Sequence, residues 1–126
     1  MNFVHSFNSD KKNGADAQEF CETAAMNGYT SGRLFEPKSL SFNDKVYAES
    51  IVAFGGKPYI WFGINAKGGP WVYTSSGTEL EFENWYPGQP DGTEDCGIII
   101  AQFNNHYGKW FDYGCHNKLS FICEFV

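Results

Sequence analysis

Four cysteines, Cys21, Cys96, Cys115 and Cys123, constrain this chain more than any other feature. No two of them form a Cys-x-x-Cys pair, so a zinc or dithiol-redox reading is weak. An even count suits two disulfides, with three connectivities possible, and disulfides imply an oxidising compartment. A Cys21–Cys123 bridge would close nearly the whole chain. A Cys96–Cys115 bridge would close the stretch that follows an acidic loop. Bridges of these sizes stabilise a fold by about 3 to 5 kcal/mol each on chain-entropy grounds. Four buried free thiols are the alternative.

A chain of 126 residues supports one domain, 1–126, with a single core. Its aromatic fraction of 18% is high, so the core is expected to be built largely from rings. The net charge of -6, with only 9 lysines and arginines, argues against nucleic acid or an anionic membrane as partner. No apolar run approaches the roughly 20 residues that a membrane-spanning helix needs. Met1 to Phe7 has neither a basic nor an apolar leader pattern, so no signal peptide is expected there, and if the protein is secreted the sequence reads as a mature form.

Along the chain, the pattern changes once. Phe3 to Phe7 alternates as a half-buried strand does. Asn13 with Asp16 three residues on predicts a helix start, with Phe20, Cys21, Ala24 and Ala25 on its buried face and Asn27-Gly28 as its stop. A second helix is expected from Ser41, burying Val46, Tyr47, Ile51 and Phe54 and ending at Gly55-Gly56. Short strands follow at Pro58–Ile64, Trp71–Thr74, Gly97–Ala101, around Trp110-Phe111, and at Leu119–Phe125. Helices first and strands later make the class α+β.

Between Gly77 and Asp95 lies a long stretch without periodicity, and such loops in compact domains are usually functional. Within it Gln89, Asp91 and Glu94 fall inside six residues, threaded by Pro90 and Gly92 and closed by Cys96. Calcium takes several oxygen ligands at once, and a turn-rich loop lets neighbouring side chains converge on one ion. A solvated acidic loop is the plain alternative.

These residues, taken together, resemble a C-type lectin-like domain over essentially the full length. The resemblance rests on Cys21, Trp61-Phe62-Gly63-Ile64-Asn65, Asn84-Trp85, Gln89-Pro90-Asp91, Glu94-Asp95-Cys96, Gly108-Lys109-Trp110-Phe111-Asp112, Cys115 and Phe121-Ile122-Cys123-Glu124. It implies a short-form fold of two helices with small antiparallel sheets and a long calcium-binding loop. It also implies the pairings Cys21–Cys123 and Cys96–Cys115, and a cis bond before Pro90. Carried over residue by residue, it implies one calcium held by Gln89, Asp91, Glu94 and Asp112. The order Gln89 then Asp91 resembles galactose-type members, in which calcium takes the vicinal 3- and 4-hydroxyls of the sugar directly. The expected function is therefore a secreted, calcium-dependent lectin for terminal galactose-type glycans. Low affinity per site would make it work as a homodimer or higher oligomer.

Two departures from the family pattern stand out. Phe111 occupies the position of an asparagine that gives calcium an oxygen and the sugar an amide, a loss of roughly 0.5–1.5 kcal/mol per bond. Asn104 or Asn105 is a candidate to compensate. The loop also lacks the tryptophan that commonly stacks on galactose, for which Tyr107, His106 and Phe111 are the candidate substitutes. No acid lies between Asn65 and Thr78, so a second calcium is not expected. Trp61, Trp85 and Trp110 read as core and loop anchors. Asp91 and Glu94 share one loop, unlike the carboxylates of a glycosidase, and no nucleophile-elbow or His-Glu-x-x-His motif occurs, so an enzyme is not expected. The alternative function is a module of the same fold that binds protein or ice without sugar, which Phe111 favours.

Overall fold

The structure is a computed structural model and describes residues 4–24, 28–29, 31–55, 59–103 and 106–126. Expectations that touch Phe3, Ala25, Asn27, Gly56, Pro58, Asn104 and Asn105 lie outside those residues. The chain opens with strand β1 (Val4–Lys12), which runs farther than its short alternating start suggested. Asn13 then caps helix α1 (Gly14–Thr23), its side chain accepting the Asp16 N–H at 2.8 Å. The helix ends at Ala24, before the Asn27-Gly28 stop, and buries Ala17, Gln18 and Cys21. Phe20 does not join that face. It is 39% exposed and meets Phe121 edge-on.

Strand β2 (Gly32–Leu34) carries no alternating signal and exists through its pairing with the last strand. Helix α2 (Leu40–Phe54) is capped by Ser39, one candidate serine earlier than Ser41, because the Ser39 hydroxyl reaches the Phe42 N–H. Its stop is Gly55, in the left-handed conformation at φ 67° that glycine adopts without strain. Val46 is buried as expected. Tyr47, Ile51 and Phe54 are only partly covered, and the deepest positions are the polar Asn43 and Ser50.

The remaining strands are β3 (Tyr59–Asn65), β4 (Val72–Tyr73), β5 (Cys96–Phe103), β6 (His106–Tyr113) and β7 (Leu119–Phe125). They join one sheet in the order β1-β7-β3-β5-β6, with β2 on β7 and β4 on β3. Small separate antiparallel sheets are therefore not what forms. β3 runs parallel to β7, Trp61 opposite Phe121, which fuses the N- and C-terminal halves. One cluster of core side chains packs around Trp61, Ile98 and Phe121, and a second around Phe62, Tyr73 and Trp110. Trp61 and Trp110 are buried anchors, and Trp85 packs on Trp71 and Trp110. Both disulfides pair as the family resemblance implied, Cys21 with Cys123 and Cys96 with Cys115.

Candidate functional site

The long loop is anchored to strand β6 by backbone and side-chain bonds. Trp110 donates its N–H to the Asn84 carbonyl and accepts from the Tyr86 N–H, each at 3.0 Å. The buried amides of Asn43 and Asn84 both donate to the Gly108 carbonyl, at 3.1 and 2.9 Å. Asn43 also accepts from the Trp110 indole, so α2, the loop and β6 share one satisfied polar cluster. This clamp holds still the strand that carries Asp112, and the Gln89–Pro90 bond that follows on the loop is cis.

Asp112 is the centre of the site. Its side chain is 6% exposed, and one carboxylate oxygen accepts the Asp91 N–H at 3.3 Å. The other accepts the Glu94 N–H at 3.2 Å. The Asp112 N–H in turn points to the Gln89 Oε1 at 3.4 Å. The exposed Asp91 carboxylate accepts both the hydroxyl and the backbone N–H of Thr93, at 2.6 and 3.0 Å. Those two bonds first, and contacts with Asp112 and Gln89 after them, hold the Asp91 carboxyl below the usual aspartate range.

Of the residues expected from sequence, Gln89, Asp91 and Asp112 thus converge. Glu94 joins them through its backbone N–H and is exposed. His106 and Phe111 meet through Tyr86, whose ring stacks on Phe111 at 5.0 Å and contacts His106 edge-on at 5.0 Å. Tyr107, about half exposed, lies instead near Tyr47 of α2. Sequence reasoning missed Thr93 and Tyr86. An Asp followed two residues later by Thr is a legible turn signal, whereas the Tyr86 contact depends on tertiary pairing.

The converging donors are all oxygen, two carboxylates and an amide, which suits calcium in kind. In number they are few. Among the described residues no three His, Cys, Asp or Glu side chains lie close enough to hold a metal ion. Glu94 would have to contribute as a fourth side chain. Electrostatics favour an added cation, because among the described residues no Lys, Arg or His pairs with Asp91, Glu94 or Asp112.

A family model described as Lectin C-type domain matches residues 10–125. Human tetranectin is 37% identical over 101 residues, covering 75% of this chain and 48% of tetranectin. The chain spans about half the length of the curated relatives it matches first. The human scavenger receptor C-type lectin carbohydrate-recognition domain superposes with a TM-score of 0.79 at 26% identity, covering 98% of this chain and 91% of that one. Herring type II antifreeze protein gives 0.78 at 25% identity, with 98% and 91% covered. No described helix is long and apolar enough to cross a membrane.

Proposed function

The chain belongs to the C-type lectin domain family, and from that premise we propose that it is a calcium-dependent lectin for terminal galactose-type sugars. The observation that carries this reading is the set of oxygen donors from Gln89, Asp91 and Asp112, with no cation of the described residues among them. In it, Gln89, Asp91, Glu94 and Asp112 hold one calcium ion. When bound, that ion supplies coordination positions for two vicinal hydroxyls. Gln89 donates its amide N–H to one hydroxyl oxygen, and Asp91 accepts a hydroxyl proton. Asp112 fixes the loop backbone so that both side chains keep their directions. His106 and Phe111, joined through Tyr86, form the rim against which the apolar face of the sugar lies.

The whole chain, 1–126, acts as a single recognition module, secreted and multivalent as a homodimer or larger assembly, and it is not an enzyme. Low affinity at one shallow site makes that multivalency necessary. Phe111 supports a second reading, a module that binds protein or ice without sugar. Its ring stacks on Tyr86 where the sugar-binding pattern has an asparagine, and the herring relative is titled an antifreeze protein.

Galactose-agarose separates the two. The first reading expects retention in calcium and release by EDTA. Flow-through in calcium, or retention that survives chelation, contradicts it.

A further inference from the structure

We propose that Cys96–Cys115 is a thiol-exchange site, reducible by small thiols in the folded chain, and that opening it frees the Asp91–Glu94 loop. The two disulfides sit in different surroundings. Cys21 and Cys123 are both 0% exposed inside the core around Trp61 and Phe121. Their bridge joins α1 to β7, and Cys123 is further covered by the Asn8 amide at 3.6 Å. Cys115 is part-exposed, and Cys96, at the edge of that same core and 7% exposed, lines a cleft of about 230 Å³ between α1 and β3. Gly14 also lines that cleft and lies against the Cys96 sulfur, where a Cβ would come within 3.3 Å. A bulkier residue there would cover the sulfur.

The same bridge spans the candidate site. Cys96 begins β5 two residues after Glu94, and Cys115 follows Asp112 by three residues. Asp112 holds the Asp91 and Glu94 N–H groups, so the disulfide ties the acceptor to the donors it serves. In the exchange, an external thiolate attacks the Cys96 sulfur, the S–S bond breaks, and Cys115 leaves with the electron pair. A second thiolate attacks the reagent sulfur of the mixed disulfide and releases Cys96. Both protein thiolates take up protons, and two reagent thiols are oxidised to one disulfide. Cys21 and Cys123, both fully buried, present no surface to such an attack.

The test uses the oxidised chain, graded dithiothreitol, an iodoacetamide quench and peptide mapping by mass spectrometry. Cys96 and Cys115 are expected to label at reductant concentrations about tenfold or more below those that label Cys21 and Cys123. In the chain alkylated at Cys96 and Cys115, hydrogen exchange at the Asp91 and Glu94 amides should accelerate about tenfold or more, with β7 still protected. A Cys96→Ala/Cys115→Ala variant repeats the exchange measurement without the alkyl groups. Labelling of all four cysteines together, earlier labelling of Cys21 and Cys123, or unchanged exchange at Asp91 and Glu94 overturns the proposal. The functional consequence rests on the calcium reading: calcium affinity should fall on reduction. An oxidised chain that binds no calcium sinks that reading alone, since labelling order and exchange rates still decide this one.

Discussion

Two carboxylate pairs in this molecule are treated in opposite ways. Glu36 and Glu124 are buried, 2% and 1% exposed, and the protein supplies their counter-charges. Arg33 Nε lies 2.8 Å from Glu124, and its Nη1 and the Lys38 amine each lie 3.5 Å from Glu36, while the His5 ring adds a hydrogen bond to Glu124 at 3.1 Å. Gly63 lets the Glu36 stem approach, since a Cβ there would sit 2.7 Å from its Cγ. Among the described residues Asp91 and Asp112 have no such partners and are held by N–H and hydroxyl donors. A buried charge without compensation is costly, so the first pair had to be neutralised for β1, β2 and β7 to close around it. In the second pair Asp91 is exposed and the buried Asp112 is met by backbone N–H donors instead of a cation, so the pair keeps its negative charge for an external cation.

Breaking the first pair has the largest expected effect. Glu124→Ala leaves Arg33 and Glu36 without their shared partner and should lower unfolding free energy by about 3–5 kcal/mol, read from urea titration. A loss below about 1 kcal/mol would mean the buried cluster is no better than a surface pair. Phe111→Asn sharpens the other side of the comparison. It restores one oxygen donor and should tighten calcium binding by roughly 0.5–1.5 kcal/mol, measured by calorimetry. Unchanged affinity would show that this position does not face the ion.

Acid gives the smallest effect. The Asp91 pKa is lowered from its ordinary value of 3.8 by the Thr93 donors, so its contribution to stability is fully present above that value. It is lost as pH falls through the lower folded value. With calcium chelated, the stability difference between the native chain and Asp91→Asn should therefore shrink below about pH 4. A difference independent of pH over that range would contradict the assignment.

What could be read in the sequence follows from the range of each interaction. Asn13 was legible as a cap because its partner, Asp16, is three residues away. Leu119 to Phe125 was legible in full because the apolar run Phe121-Ile122-Cys123, flanked by Leu119 and Phe125, marks a buried strand. β2 was not, since three residues pair with β7 some ninety positions later and show no local pattern. β6 proved longer than Trp110-Phe111 suggested because its alternation mixes rings with Lys109 and a positive-φ Gly108. Glu36 and Glu124 look like surface charges in sequence; only the fold reveals that Arg33, Lys38 and His5 meet them. At the site, the oxygen-bearing residues were legible as chemistry. That Asp112 uses its carboxylate to grip the Asp91 and Glu94 backbone was not, because backbone partners leave no mark on residue type.

The claim that the uncompensated carboxylates serve an added cation is tested most directly by thermal unfolding with and without calcium, in the native chain and in Asp112→Asn. The account predicts that calcium raises the Tm of the native chain, as binding to the folded state alone requires, and leaves that of Asp112→Asn where it was. No rise in the native chain, or an equal rise in both, would contradict it.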